Sequence, residues 1–103
     1  MDRDHISVIA ENEHGKIIGH AFIKSIKTKN PSFGIGLRED YRGIGLGKKL
    51  MNYVLSKARG LRKITLTVIK ENTKGRALYE KFAFKVTGQT KDSWKMEIDR
   101  DER

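Results

Sequence analysis

Alternation of apolar and polar positions predicts the strands of this 103-residue chain. Residues 6–10 repeat with a period of two, and residues 17–26 are β-branched and apolar, so a polar turn at residues 13–16 would join them into a hairpin. Residues 32–38 predict a third strand, with Phe33, Ile35 and Leu37 on one face. Further alternation predicts strands over residues 62–69, 84–88 and 94–98, the last two forming a hairpin around a turn at residues 89–92.

Helical spacing replaces this alternation in two places. The first predicts an amphipathic helix of about four turns that ends near Gly60. The second predicts a shorter helix, capped by Asn72 or Thr73 and ending near Phe82. The apolar residues that give the first helix its spacing are Leu46, Leu50, Tyr53, Val54 and Leu55.

The order of these elements is β-β-β-α-β-α-β-β, which is typical of an α+β fold with one mixed sheet. No repeat or linker interrupts it, so residues 1–103 are predicted to form a single domain. The mixed-sign end at residues 99–103 is expected to be frayed.

The composition narrows the class of protein. Hydrophobic residues at 37% and charged residues at 34% are typical of a folded globular chain. The absence of cysteine excludes disulfide scaffolds, cysteine-based zinc sites and a thiol nucleophile. No stretch approaches the ~20 apolar residues of a membrane span, and the charged first residues lack the apolar core of a signal peptide. We therefore predict a cytoplasmic protein that does not bind membranes.

The chain has 22 basic and 13 acidic residues, and its net charge of +9 indicates which kinds of partner it could bind. It fits nucleic acid, an anionic membrane surface or a phosphate-rich ligand, and it also fits plain solubility. The basic residues are dispersed, without a block of like charge or interleaved aromatic residues for base stacking. A nucleic-acid partner is therefore not favoured.

A glycine-rich segment between the third strand and the first helix carries the candidate chemistry. Glycines allow a tight turn that brings amides close to a ligand, and the following helix points its free amides and positive dipole end at the same place. Together they predict an anion site suited to phosphate, with added charge from Arg42 and Lys48. The spacing fits neither a Walker loop nor a dinucleotide-binding fingerprint. The segment reads Arg42-Gly43-Ile44-Gly45-Leu46-Gly47.

Two more glycines, Gly34 and Gly36, share one face of the third strand, where they weaken it. Either a ligand or another backbone approaches that face closely, or a helix packs tightly over it.

These segments resemble the GNAT family of N-acetyltransferases, whose pattern Gln/Arg-x-x-Gly-x-Gly/Ala reads here as Arg42-x-x-Gly45-x-Gly47. A second family segment is an apolar strand, an Asn, and an Ala/Leu-Tyr helix that ends in Phe. It corresponds to residues 64–68, Asn72 and residues 77–84. Both occur in the family's order and at its usual distance.

The resemblance implies a direct transfer of acetyl from acetyl-CoA to an amine, without a covalent enzyme intermediate and without a metal. Acetyl-CoA would be wedged between the splayed third and fourth strands. Tyr79, a phenol protonated at pH 7, would protonate the leaving thiolate. The implied cofactor-binding residues are Ile35 and Leu37 through main-chain groups, Arg42, Gly43, Ile44, Gly45, Leu46, Gly47 and Lys48 around the pyrophosphate, and Asn72 at the pantetheine arm.

Each of these residues has a structural alternative. Tyr79 on the inner face of a helix could simply pack, and Asn72 could be an ordinary helix cap. Trp94 could be core or a wall of the acceptor site.

The chain also departs from the family pattern. No carboxylate is placed as a general base, because Glu39, Asp40 and Glu71 lie beyond the strands. Ala83 stands where the family has glycine, so a positive φ there would cost about 1 kcal/mol.

The largest departure is at the front, where the chain starts at what would be the family's second strand. The acceptor therefore cannot be identified from the sequence. The uncovered strand at residues 6–10 predicts a homodimer or an aggregation-prone fragment. Two alternatives stay open: a CoA-binding remnant with little activity, and a small basic nucleic-acid-binding protein.

Overall fold

The computed structural model describes residues 4–100, and its elements follow the predicted order. Six strands, one short 3₁₀ helix and two α-helices make up this part of the chain. They are β1 (His5–Glu11), β2 (Ile17–Lys24), β3 (Ser32–Leu37), the 3₁₀ helix (Glu39–Tyr41), α1 (Leu46–Lys57), β4 (Lys63–Ile69), α2 (Thr73–Lys81), β5 (Lys85–Gln89) and β6 (Ser93–Asp99).

The strands form one mixed sheet in the order β1-β2-β3-β4-β6-β5. Four neighbouring pairs are antiparallel, and β3 with β4 is the parallel pair. A parallel pair needs a crossover, and α1 provides it. The predicted mixed sheet is thus confirmed.

Both α-helices lie on the same side of the sheet, which we call the helix face. A methyl group added to Gly19 of β2 would lie 3.0 Å from Leu50 Cδ1 of α1. The Tyr79 ring of α2 lies 6.0 Å from the ring of Phe33 in β3. The core forms here, and its most deeply buried large side chains are Phe84, Ile23, Met51, Ile64, Met96 and Val54.

The opposite side, which we call the open face, carries the alternate residues of the same strands, among them Phe22, Gly34, Thr65, Thr67 and Glu97. Within residues 4–100 no α-helix covers it. At 12 and nine residues, neither α-helix of this part of the chain is long and apolar enough to cross a membrane.

The predicted ends of two elements were wrong. The second strand stops at Lys24 rather than at residue 26, because Ser25 adopts a φ of 59° that breaks the ladder. Helix α1 ends at Lys57, and its C-cap is Ala58 rather than a glycine in the left-handed conformation. Tyr53, predicted with the apolar face of α1, is instead 57% exposed.

Arg100 explains how α1 ends without a glycine. Its Nη1 donates to Ala58 O at 2.7 Å and its Nη2 to Leu55 O at 3.1 Å. A cation on the last carbonyls of a helix satisfies them and complements the helix dipole. The expectation of a frayed end was therefore wrong for Arg100 and for Asp99, which belongs to β6, whereas residues 101–103 lie outside the described chain.

Ala83, between α2 and β5, has a φ of 76°. The condition under which an alanine is strained at this position is therefore met. An L-residue there carries strain that glycine avoids.

Candidate functional site

A gap opens between the two parallel strands at the centre of the sheet. β2 and β3 pair along six positions, whereas β3 and β4 pair only at Ser32 and Thr65. The Thr65 amide and Oγ1 both donate to Pro31 O, at 2.8 and 3.1 Å, and so fix the closed end of the gap. Beyond this point the strands diverge, and the edge of β3 faces open space.

The main-chain groups of Ile35 and Leu37 point into this gap. Pro31 O faces β4, where it accepts from Thr65, and the Arg38 amide faces β2, where it donates to Ile18 O at 2.9 Å. Peptide groups alternate in direction along a strand, so odd-numbered residues of β3 face the gap and even-numbered ones face β2. Contact of these main-chain groups with a pantetheine arm stays a prediction.

The glycine-rich segment turns from β3 into α1 through two left-handed residues. Gly43 has a φ of 82° and Gly45, the N-cap of α1, a φ of 86°. No atom lies within 4 Å of a methyl group added to either, so their backbone conformation, rather than crowding, requires glycine. Ile44 between them is 66% exposed.

The amides of this segment are available to a ligand. Among the described residues, the amides of residues 43–48 donate to no protein acceptor, and Lys49 N is the first to donate, to Gly45 O at 3.2 Å. The amide of Arg42, the first residue of the glycine-rich segment, is not free, because it donates to Glu39 O at 3.2 Å. The exposed Arg42 side chain instead reaches Leu37 O, with Nε at 3.4 Å.

Charge at the start of α1 opposes helix stability. Its first turn contains no acidic residue and includes Lys48, a cation at the positive end of the helix dipole. A bound anion would reverse this unfavourable arrangement, since it would meet free amides, the dipole and the ammonium together.

Gly47 has a different role from the other glycines of the segment. A methyl group there would lie 3.4 Å from Leu37 Cδ1 and from Leu78 Cδ2. The buried Gly47 therefore lets the first turn of α1 approach both β3 and α2. This contact brings the predicted pyrophosphate and pantetheine residues to one end of the gap.

Asn72 caps α2. Its Oδ1 accepts from the Gly75 amide at 2.9 Å, and a methyl group on Gly75 would collide with the Asn72 amide group. The capping role is thus observed, and contact of Asn72 with a pantetheine arm stays a prediction.

Tyr79 projects from α2 onto the helix face. Its ring packs edge-on against Phe33 and Phe84, with centroids 6.0 and 6.2 Å apart, and 8% of the residue is exposed. Its hydroxyl forms no hydrogen bond with a described residue, yet it keeps contact with solvent. Burial raises the pKa of the Tyr79 phenol above 10.0. The group therefore stays protonated, as a proton donor must.

The two glycines of β3 differ, and neither is covered by a helix. A methyl group on Gly34 would collide with Phe22 Cζ and lie 2.8 Å from Cε1 and Cε2, so this chain's own ring requires the glycine. The alternative of a helix packed tightly over Gly34 was wrong, because the Phe22 ring occupies that position. Nothing lies within 4 Å of a methyl group on Gly36, so that position is open.

The open face also holds a pocket of about 380 Å³. It lies over β4, β6 and β5, beside the closed end of the gap. The side chains that line it are mostly polar and include Asn30, Thr65, Thr67, Thr87, Lys95 and Glu97. Sequence reasoning missed this pocket, because the alternation shows that these side chains share faces but not which strands are neighbours.

The remaining candidates lie elsewhere. Asp40 pairs with Arg38 at 3.4 Å, and Glu71 is exposed in the turn before α2. Trp94 is half-buried against the core, and Lys70 Nζ and Arg76 Cζ lie 4.7 and 4.8 Å from its ring. No group of three His, Cys, Asp or Glu side chains within residues 4–100 could hold a metal ion.

The chain is similar in sequence and in fold to known acetyltransferases. A profile of the acetyltransferase (GNAT) family matches residues 1–84. The chain is similar to the 5-NmdU N-acetyltransferase of Pseudomonas phage PaMx11, with 36% identity over 85 residues, covering 80% of this chain and 59% of that protein. The chain thus spans about three fifths of that relative's length.

Solved structures share the fold. The PaiA N-acetyltransferase of Thermoplasma acidophilum, in complex with coenzyme A, superposes with a TM-score of 0.81 at 23% identity, over 93% of this chain and 61% of that one. The dodecameric spermidine N-acetyltransferase of Vibrio cholerae superposes with a TM-score of 0.80 at 24% identity, over 96% of this chain and 67% of that one.

Proposed function

The chain belongs to the acetyltransferase (GNAT) family, and from this we propose that it transfers an acetyl group from acetyl-CoA directly to an amine. The observation that carries the proposal is the gap between β3 and β4, which ends at a segment of unpaired amides. A long cosubstrate with a pyrophosphate at one end and a thioester at the other fits this combination.

The chain's own groups would hold the donor along its length. Amides of residues 43–48, with Lys48, would bind the pyrophosphate at the start of α1. Main-chain groups of Ile35 and Leu37 would pair with the pantetheine arm as an added strand pairs with a sheet edge. Asn72, the cap of α2, would contact the same arm.

In the proposed reaction a neutral amine nitrogen attacks the carbonyl carbon of the thioester. The new C–N bond forms, the C–S bond breaks, and the nitrogen loses a proton to water. Tyr79 gives its phenolic proton to the leaving thiolate and is reprotonated from solvent. No covalent enzyme intermediate forms.

Donor binding is tested by the thermal unfolding of the protein with and without CoA. CoA at ~100 times its dissociation constant should stabilise the fold by about 2.7 kcal/mol. Lys48→Glu should weaken CoA binding about tenfold while it stabilises the free protein by ~0.5 kcal/mol, since it places an acid in the first turn. The matched change Lys57→Glu, at the other end of α1, should leave the CoA shift unchanged. No shift with wild-type protein would refute the proposal.

Turnover against a panel of amines separates the transferase from a CoA-binding protein without activity. Acetylated product that requires acetyl-CoA supports transfer. A full CoA shift with no product from any amine would favour a CoA-binding protein without activity. The position of Glu39 and Asp40 in the 3₁₀ helix, outside the gap, supports this alternative, because neither carboxylate is placed as a general base.

We also propose a homodimer that pairs through β1, an edge strand of the described sheet with Ile9 51% exposed. Light scattering at high concentration should give twice the chain's mass, and a clean monomer would contradict the proposal. A location in the cytoplasm stays a prediction from the sequence.

A further inference from the structure

The pocket on the open face lies one sheet position from the closed end of the gap. Thr65 pairs with Ser32 on one side and with Glu97 on the other, so these three residues form a row across β3, β4 and β6. Thr67 and Lys95 form the next row. The pocket therefore opens beside the only place where β3 and β4 meet.

Two opposite charges in this pocket lack partners. Lys95 and Glu97 lie two residues apart on one face of β6, which separates their backbones by roughly 7 Å. Neither forms an ion pair or a side-chain hydrogen bond with any residue of the described chain. The Lys95 stem instead rests over Gly88, with Cδ 3.7 Å from a methyl group added there. Thr65 and Thr67 of β4 line the same pocket, and the Thr65 hydroxyl already donates to Pro31 O.

The pocket and Tyr79 lie on opposite faces at the same level of the sheet. Tyr79 contacts Phe33 on the helix face, and Phe33 directly follows Ser32 of the row described above. A thioester held in the gap would be open to Tyr79 from one side and to the pocket from the other. This is the arrangement needed when the amine and the proton for the thiolate arrive from opposite sides.

We propose that this pocket receives the acceptor, and that the acceptor is a compact amine that also carries an anionic group, a carboxylate or a phosphate. The inference rests on the proposed function. Glu97 pairs with the ammonium, Lys95 with the anion, and the Thr67 hydroxyl bonds the groups between them. A polyamine fits poorly, because its second ammonium would meet Lys95 and find no second carboxylate in the pocket.

Matched amines test this inference with the 103-residue chain. 6-Aminohexanoate is compared with pentylamine, which lacks the carboxylate, and 5-aminopentyl phosphate with 5-aminopentanol, which lacks the phosphate. Spermidine is added as the polyamine. We expect at least a tenfold higher kcat/KM for the anionic member of one pair, and that pair identifies the anion. Binding of the same compounds to the CoA-saturated protein, measured by calorimetry, should show the same order.

Variants locate the effect. Lys95→Gln should reduce the ratio of kcat/KM between the anionic amine and its matched partner to about one, and it should leave the CoA shift intact. Lys91→Gln, in the turn before β6, should change neither that ratio nor the CoA shift. Equal use and equal binding of both members of each pair, with a normal CoA shift, would overturn the inference and leave the proposed function standing. The absence of a CoA shift and of turnover would instead refute the proposed function.

Discussion

The two faces of the sheet use the same strands for different purposes. On the helix face, Ile64 and Met96 are fully buried under the helices. Their neighbours on the open face, Thr65 and Glu97, are polar and line a pocket. The helix face makes the core that stabilises the fold and carries Tyr79, while the open face keeps polar groups that the core would not tolerate. Alternation along one strand thus separates the residues that stabilise the core from the polar residues that line the pocket.

The largest effect is expected at the one helix-face residue to which we assign chemistry. Tyr79→Phe keeps the ring that packs on Phe33 and Phe84 but removes the phenolic proton. We expect kcat to fall about 100-fold, with little change in the KM for acetyl-CoA. Steady-state kinetics beside the matched variant Tyr53→Phe, at an exposed ring of α1, would measure it. An unchanged kcat would make Tyr79 a packing residue like its neighbours.

The same residue sets a pH dependence. Its pKa is raised by burial, so the neutral phenol is favoured in the folded protein. That stabilisation is complete below pH 10 and is lost as the pH rises through the higher folded pKa. Denaturant unfolding at pH 9 and pH 11 should show a smaller loss of stability for Tyr79→Phe than for the wild type. An equal loss would show that other groups control the alkaline limit.

The next effect compares two glycines on the open face. Gly34→Ala would force the Phe22 ring to move and should cost about 2 kcal/mol of unfolding free energy. Gly36→Ala, on the same strand and face but in open space, should cost less than about 0.5 kcal/mol. Chemical denaturation measures both. If the two variants lose the same stability, crowding by Phe22 does not explain Gly34, and strand propensity alone suffices.

The smallest effect returns to the helix side of the molecule. Ala83→Gly relieves a left-handed alanine, a gain partly offset by the larger entropy of unfolded glycine, so we expect about 0.5–1 kcal/mol of stabilisation. Ala77→Gly, the same change inside α2, should destabilise by about 1 kcal/mol. Thermal unfolding distinguishes opposite signs directly. Destabilisation by both variants would mean that the φ at residue 83 carries no strain.

Local patterns predicted most of the fold. The period of two, the helical spacing and the Asn72 cap each depend on residues close together in the chain, and the corresponding elements are present. The glycine motif likewise predicted a left-handed turn into a helix. Errors at Ser25 and Ala58 arose because a backbone conformation or a distant side chain ended the element.

The rest depended on which strands become neighbours. Gly34 lies under Phe22 only because β2 pairs with β3 in one register, and Glu97 lies beside Thr65 only because β6 pairs with β4. Arg100 caps α1 from 42 residues away. No local pattern encodes these contacts, so the left-handed glycine turn and the Asn72 cap were predictable and the open-face pocket was not.

The single pairing of Ser32 with Thr65 divides the sheet into two blocks, β1-β2-β3 and β4-β6-β5, each with a nearly complete hydrogen-bonded ladder of its own. The sheet is weakest at this junction, because few main-chain hydrogen bonds resist a small rotation of one block against the other. A ligand that bonds both edges would act as a missing strand. Hydrogen exchange of the main-chain amides along β3 and β4 should then become slower when the ligand binds, because the ligand joins the two blocks and suppresses their relative motion.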